Sequence, residues 1–348
     1  MNNKKAHHIR LFSPSDEHRW NDYVDNHSAG TPFHRIPWKK TVEASFGHHS
    51  YYLLAEESDG SVVGVFPLFH LKSFLFGNYL TSIPFAELGG PLADSAGALQ
   101  ALVDYGIDIT KNLKCDYLEI RSRNAIPGFK VKSLYYNFSR EIFPEVEANL
   151  AAIPRKSRAA VRHGIKSGLT AEFGNHLLGQ FYEVLAHSYH TLGTPVFSFG
   201  YFRRLLANHA DSSQVMIIRT KEQTPVAAVM TFFYRDQVIP YYAGSLLEFR
   251  KLAPNDFMYW ELMKYGCEQG YRIFDFGRSK EGTGSFDFKR HWGFEPKPLA
   301  YQYHLHGIAD LPNLSPTNPK YRRKIQLWRG LPYFATKAIG PIFARYLA

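Results

Sequence analysis

The sequence predicts a mixed α/β chain in which one domain plan is used twice. Three observations carry this: the size and apolar content of the chain, the same order of strands and helix in both halves, and a shared ending to both patterns. With 348 residues, 45% hydrophobic and 16% aromatic, the chain is too long for one ordinary core and divides into two domains. In the first half, residues 51–56 read as a strand, Asp59-Gly60 as its turn, 62–70 as the partner strand, and 95–112 as a helix leading into a strand at 117–121. The second half repeats that order. It has a strand at 215–220, a turn at 221–224, a partner strand at 226–234, and a helix at 255–269 leading into a strand at 272–276. The endings rhyme as well, YLEIRS at 117–122 against FDFGRS at 274–279. Hairpin-then-helix patterns are common in mixed α/β proteins, but duplication also accounts for the shared ending. The expected boundaries are 1–150 for the first domain, 151–308 for the second, and 309–348 for a tail.

Charge narrows the partners. Lys and Arg number 41 against 31 acidic residues, a net charge of +10, which favours anionic partners: phosphorylated lipid or sugar carriers, RNA, or a membrane surface. Two cysteines stand far apart, Cys115 and Cys267, and the opening MNNKKAHHIRLF lacks the apolar core of a secretory signal. Both features predict a cytoplasmic protein. No run approaches the ~20 apolar residues of a membrane-spanning helix.

Between the halves, residues 153–168 (IPRKSRAAVRHGIKSG) have helical spacing. Arg155, Arg158, Arg162 and Lys166 step by three or four and so share one helix face, with Ile153, Val161 and Ile165 supplying apolar contact. Like charges in a row repel, so a phosphate-rich ligand is one reason to keep them together. A solvated helix face is the other reading.

Residues 272–296, RIFDFGRSKEGTGSFDFKRHWGFEP, are the most informative stretch. An apolar strand (Ile273, Phe274, Phe276) meets a Gly-rich turn (Gly277, Gly282, Gly284), and Lys289 then stands between Phe286, Phe288 and Trp292. An ammonium walled by rings is suited to hold the oxyanion of a tetrahedral intermediate, because such stabilisation is strongest where water is excluded. The alternative is a lysine that snorkels from an aromatic patch to solvent. With the oxyanion role, Lys289→Met lowers turnover about a hundredfold or more and leaves substrate binding and folding nearly unaffected.

Competing chemistries lack their residues. Gly277-Arg278-Ser279-Lys280-Glu281 has no final glycine for a serine nucleophile elbow. The histidine pairs His7-His8, His48-His49 and His304-x-His306 have no neighbouring Cys or carboxylate set for a metal. His187 and His190 share a face of a helix at 177–192, a spacing more often structural than ligating. Neither cysteine has an adjacent base and acid.

These residues resemble a known family. The order IPRKSRAAVRHGIKSGL, then IPYYAGS with Pro254-Asn255 and Tyr259-Trp260, then FDFGRSKEGTGSFDFKRHWGFEP, is similar to the FemAB-like branch of the GNAT acyltransferase superfamily. More narrowly, it resembles the subgroup associated with PEP-CTERM and exosortase systems. The resemblance spans residues 15 to 305 and is most specific over 274–296. It implies two tandem GNAT-like domains and transfer of an acyl or aminoacyl group to an amine of a cell-envelope or exopolysaccharide precursor. It also implies that Phe288 and Lys289 match the family's Phe-Lys pair, whose lysine stabilises the oxyanion. Arg155, Arg158 and Arg162 then bind anionic groups of donor or acceptor, an acceptor that is lipid-linked or nucleotide-linked, with Tyr242 and Arg278 as secondary candidates at strand ends facing one cleft.

No tightly bound cofactor is expected; the donor is an aminoacyl-tRNA or an acyl thioester. The simple acyl-CoA pyrophosphate loop is absent, since Arg278 and Gly282 are one residue too far apart and follow the wrong strand. Residues 168–179 leave no room for the long helical arm of several FemAB proteins, which weighs against tRNA. A second class stays open: a non-catalytic tandem-GNAT protein that binds a polyanionic glycan precursor or RNA. In the tail, Arg322, Arg323, Lys324 and Arg329 flank Ile325, Leu327 and Trp328. This segment either docks on the second domain or lies on the inner membrane with Trp328, Tyr333 and Phe343 inserting.

Overall fold

The computed structural model describes residues 7–73, 77–312 and 319–347, with the backbone alone at 319–324. The chain runs β1 (His8–Leu11), α1 (Glu17–Asn26), α2 (Ile36–Phe46), β2 (His49–Ser50), β3 (Leu53–Glu56), β4 (Val62–Phe66), β5 (Phe69–Ser73), β6 (Gly77–Thr81) and β7 (Leu92–Ala93). Next come α3 (Ala96–Asn112), β8 (Tyr117–Ser122), β9 (Lys130–Lys132), β10 (Tyr135–Glu141), α4 (Val146–Ala152), α5 (Arg155–Lys166), β11 (Thr170–Phe173), α6 (Leu178–Leu192) and α7 (Phe199–Asn208). It continues through β12 (Ser213–Arg219), β13 (Pro225–Tyr234), β14 (Gln237–Ser245), α8 (Pro254–Glu268), β15 (Ile273–Lys280), α9 (Gly284–His291), β16 (Lys297–Pro298) and β17 (Ala300–Leu305). Two helices close it, α10 (Pro319–Gly330) and α11 (Tyr333–Ala344).

Two compact units result. Unit 1 is Met1–Leu134, Pro298–Pro312 and Tyr346–Ala348; unit 2 is Tyr135–Lys297 and Asn313–Arg345. The boundaries differ from those read off the sequence, 150 and 308, because strand pairing overrides chain order. The strand after the first half, β10, pairs antiparallel with β15, and the strand after the second half, β17, pairs antiparallel with β8.

Unit 1 holds, among the described residues, a sheet of order β1-β3-β4-β7 and another of order β2-β5-β6-β8-β17-β9. The strand expected over 62–70 is two strands in different sheets. Pro67 stands at the break, and a proline has no N–H to continue a ladder. Helix α3 starts where the Ser95 hydroxyl accepts from the Ala98 N–H at 3.1 Å. Its apolar stripe, Ala98, Leu102, Val103 and Ile109, packs on Leu53, Phe66, Leu80, Leu118 and Ile120.

Unit 2 is one sheet of order β11-β12-β13-β14-β15-β10-β16 among the described residues. Strand β12 reads SQVMIIR and is buried on both faces: Met216 and Ile218 join the core under α8, while Val215 and Ile217 are equally buried on the other side. A strand without apolar alternation is one covered on both faces by helices.

The repeated plan is present in both units. In unit 1, β6 and β8 are parallel with α3 between them; in unit 2, β14 and β15 are parallel with α8 between them.

Candidate functional site

The site is built where β14 and β15 part. Their ladder holds two positions, Gln237 with Ile273 and Val238 with Phe274, although the strands run on to Ser245 and Lys280. Beyond those positions their facing backbone groups are not paired to each other. The β13–β14 register slips from Met230–Tyr242 to Thr231–Pro240, so Tyr241 is an extra residue that bends β14, and Pro240 offers no N–H.

Strand β15 bulges too. Its register with β10 steps from Asn137–Arg278 to Ser139–Asp275, so Phe276 and Gly277 together face Phe138. Gly277 has φ +68, a left-handed conformation that glycine adopts without a Cβ penalty. It lies inside the strand and not in the turn expected from the sequence. The Asp275 Oδ1 accepts from the Gly277 N–H and from the Asn137 Nδ2, both at 2.8 Å, and fixes the kink.

Lys289 fills the result. Successive strand carbonyls normally alternate in direction, but past this kink those of Phe276, Gly277 and Arg278 all reach the Lys289 Nζ, at 2.7, 3.0 and 3.1 Å. An ammonium has three donors, and here three carbonyls receive them. The residue is 8% exposed, so the snorkelling alternative is overturned: the side chain points inward because a bulged strand supplies the acceptors. The Phe138 ring centroid is 5.6 Å from Nζ.

Helix α9 delivers this lysine. Phe286 and Lys289, three apart, are its buried positions, and the Thr283 hydroxyl donates to the Lys280 carbonyl at 2.6 Å just before it. Phe288 is half-buried against Tyr259, Trp292 and Phe276, with centroid distances of 5.6, 5.9 and 6.3 Å. The Trp292 indole N–H donates to Asp256 Oδ1 at 2.9 Å. Burial raises the Asp256 pKa from its ordinary value, and that hydrogen bond opposes the rise. Sequence reasoning passed over Asp256. Its signal was present: it follows Pro254-Asn255 in the first turn of α8, and a buried indole N–H needs an acceptor.

Helix α5 carries the basic row. Arg155, Arg162 and Lys166 are exposed, while Arg158 is half-buried with Nη1 donating to the Ala151 carbonyl at 2.7 Å. Inward, Ser157 donates to the His291 carbonyl at 2.8 Å, which ties the first turn of α5 to the last of α9. Ile153 and Val161 are buried as expected. Ile165 is not: it is 48% exposed. Gly164 makes the contact instead, since a Cβ there would lie 2.8 Å from that of Phe257, and so close an approach of α5 to α8 turns the neighbouring Ile165 outward.

Tyr242 and Arg278 do not face one cleft. Tyr242 lies within β14, is 6% exposed, and its hydroxyl meets that of Tyr201 on α7 at 2.7 Å. Burial holds its pKa well above the ordinary value. The cause of the difference is the extra residue at Tyr241, which reverses which side chains face α7. The Arg278 guanidinium stands 4.7 Å over the Tyr135 ring. His187 and His190 do share a face, against Tyr333, at centroid distances of 3.7 and 5.9 Å. Among the described residues no group of three or more His, Cys, Asp or Glu could hold a metal ion.

Residues 151–290, which include α5, both parting strands and Lys289, match the family model described as the acetyltransferase (GNAT) domain. No curated protein matches the sequence. Solved structures share the fold. FemX superposes with TM-score 0.68 over 86% of this chain and 98% of its own, at 17% identity. The C-terminal domain of a putative lysylphosphatidylglycerol synthetase from Agrobacterium fabrum gives 0.57 over 84% and 92%, at 14% identity. A tandem GNAT protein from the clavulanic acid biosynthesis pathway gives 0.57 over 88% and 100%, at 10% identity. The architecture is the tandem GNAT fold, FemX-like in overall plan, and the domain match supports an acyltransferase.

Proposed function

We propose that the protein is an N-acyltransferase or aminoacyltransferase of FemAB-like type, acting on an amine of an anionic cell-envelope or exopolysaccharide precursor. The observation that carries this reading is the short ladder between β14 and β15 beside a bulge held by Lys289. An acyl thioester on an amide-bearing pantetheine arm pairs with the freed edge of β14 as an added strand does, while an aminoacyl-tRNA, joined by an ester, offers its α-ammonium to the same edge carbonyls. The acceptor nitrogen attacks the donor carbonyl, the C–N bond forms, and the thiol or ribose hydroxyl leaves as the nitrogen gives up its proton. Lys289 stabilises the oxyanion by exchanging its longest and least buried bond, that to the Arg278 carbonyl at 3.1 Å, for the substrate oxygen. Phe288 forms the apolar wall, and the carboxylate of Asp256, made more basic by its burial, is a candidate proton acceptor. The exposed Arg155 and Arg162 take the anionic groups of the substrate. The resemblance to the PEP-CTERM-associated subgroup supports an envelope precursor as acceptor.

One observation favours the second reading, a binding protein for a polyanionic glycan precursor or RNA: all three Lys289 donors are already engaged. The test is to incubate the protein with labelled aminoacyl-tRNA or acyl thioester and a panel of amine acceptors, following product by mass spectrometry. Native mass spectrometry of protein from its own host runs beside it. Amide product is the expected result. Retained precursor or RNA with no transfer from either donor supports the binding reading and sinks the enzyme.

A further inference from the structure

The C-terminal helices carry apolar side chains on the face turned away from the body they dock on. In α11 the buried residues are Thr336, Gly340 and Ala344, spaced by four, so they form one stripe. Two of the three pack within unit 2, to which the helix belongs. The His190 Nδ1 and the Thr336 hydroxyl are 3.0 Å apart, and the Gly340 Cα lies so near the Val196 backbone that a Cβ would meet its carbonyl at 3.0 Å. The Tyr333 hydroxyl donates to Glu183, and Lys337 pairs with the same carboxylate. Of the two readings of this tail, docking on the second domain is present, and Tyr333, read as a side chain that inserts into a membrane, is engaged with Glu183 and His187 instead.

The opposite stripe is Phe334, Ala338 and Ile342, also spaced by four. Phe334 is 74% and Ile342 62% exposed, and on α10 Leu327 is 73% exposed. Beside them Leu192, whose carbonyl holds the Arg329 guanidinium at 3.0 Å, is 58% exposed. A docked amphipathic helix turns polar side chains outward; this one turns out a phenylalanine and an isoleucine. The segment's own charge is of one sign, although Lys337 is paired with Glu183 of α6 and Arg329 is held by the Leu192 carbonyl. From Leu311 to Ala348 the sequence has seven Lys or Arg and no Asp or Glu. The side chains of Arg322, Arg323 and Lys324 lie outside the described residues.

We infer that this outer face is a docking surface for an anionic lipid bilayer. The apolar stripe enters the headgroup boundary while the cations of this acid-free segment meet lipid phosphates, the combination that marks interfacial helices. An acid-free cationic segment is the complement of such a surface, and large aliphatic and aromatic side chains without interspersed polar groups need no matching partner pattern. No helix of the described residues is long and apolar enough to cross a membrane, so the contact is peripheral. The inference uses no residue of the transferase site and stands or falls separately from it.

The experiment is flotation of the full chain with phosphatidylcholine vesicles, with and without phosphatidylglycerol, across a salt series. The wild type floats with anionic vesicles, less so at high salt, and not with pure phosphatidylcholine. Phe334→Ser with Ile342→Ser lowers vesicle affinity by about tenfold or more with an unchanged melting curve, because both side chains are exposed. Wild type that stays unbound, or a double variant that binds equally well, overturns the inference. So does a dimer, seen by light scattering, that the same two substitutions dissolve, since the face would then belong to a second copy.

Discussion

Strands β8 and β15 hold the same place in the two units, each reached through a helix from its parallel neighbour, yet the space beside them is finished in opposite ways. In unit 1, β8 stays regular and puts Glu119 and Arg121 on the face away from α3. The Arg121 Nε donates to Glu119 Oε1 at 2.5 Å, and its Nη1 donates to the Ala86 carbonyl at 2.8 Å. The Gly89 and Gly90 N–H groups both donate to the Arg121 carbonyl, at 3.0 and 2.8 Å. Residues 82–90, all buried, thereby fill the space with the unit's own backbone, at the cost of positive φ at Ile83 (31°) and Phe85 (62°). In unit 2 the strands part, β15 kinks, and a lysine from the following helix receives the displaced carbonyls. A duplicated plan keeps its crossover because the geometry of a parallel connection is constrained. The space beside the second strand is not constrained, and one copy fills it with backbone while the other holds the site proposed for substrate.

The largest effect expected from this contrast is in unit 1. Burial pulls the Arg121 pKa down, and the charge and hydrogen bond of Glu119 together with Tyr301 and Tyr303 more than offset that pull; Arg121 and Glu119 are a charge pair with little access to water. Arg121→Met alone strands the Glu119 carboxylate and should lower unfolding free energy by about 3–5 kcal/mol. Arg121→Met with Glu119→Leu should recover most of the loss, since a buried pair replaced by apolar groups is often neutral. Urea denaturation of the three proteins decides it. Equal midpoints for wild type and the single variant would mean that residues 82–90 hold unit 1 without the pair.

Lys289→Met ranks next. The expectation that folding is nearly unaffected does not survive the geometry: three carbonyls lose a charged donor, two of these bonds being buried, and the loss should be about 2–4 kcal/mol. Activity must therefore be compared well below the melting temperature of the variant. There, the oxyanion role predicts about a hundredfold lower kcat with KM little changed. Lys289→Arg should fail on both counts, because a planar fork cannot reach three convergent carbonyls as a compact ammonium does. Gly277→Ala, which keeps the lysine and strains the bulge, should cost about 1–2 kcal/mol for the left-handed backbone. If stability falls for Lys289→Met while kcat holds, the lysine is a strut and the site needs another oxyanion group.

Local patterns were legible in the sequence where they are local in physics. Helices α3, α5, α6 and α8 follow from apolar spacing, and the β12–β13 hairpin from its turn residues, to within a residue or two. What escaped depends on distant chain. Nothing near residue 135 or 300 says that β10 completes the sheet of unit 2 or that β17 completes that of unit 1. Gly277 reads as a turn glycine because turns and bulges use the same left-handed conformation. Lys289 was found by its aromatic neighbours, but its acceptors are carbonyls that only the bulge brings together. Tyr242 was misplaced by the one-residue slip at Tyr241, which reverses every side chain after it.

The smallest effect on stability, and the sharpest on binding, belongs to α5. Its inner contacts run through Ser157, Val161 and Gly164, so its outer cations are free to serve a ligand without holding the fold. Arg155 and Arg162 are exposed, whereas Arg158 anchors the Ala151 carbonyl. Changing Arg155 and Arg162 to Gln should therefore move unfolding free energy by no more than about 0.5 kcal/mol, and adding Arg158→Gln should cost up to about 1 kcal/mol more for its hydrogen bond. Binding behaves the other way. With total tRNA and a nucleotide-linked sugar as probes, the pair of substitutions should weaken whichever anion the site takes, and its salt dependence should flatten because each lost phosphate contact releases fewer counterions. Arg158→Gln alone should leave that slope nearly unchanged. Equal affinity and equal slope for the pair and the wild type would return this helix face to solvent and leave the proposed substrate site to the parted strands.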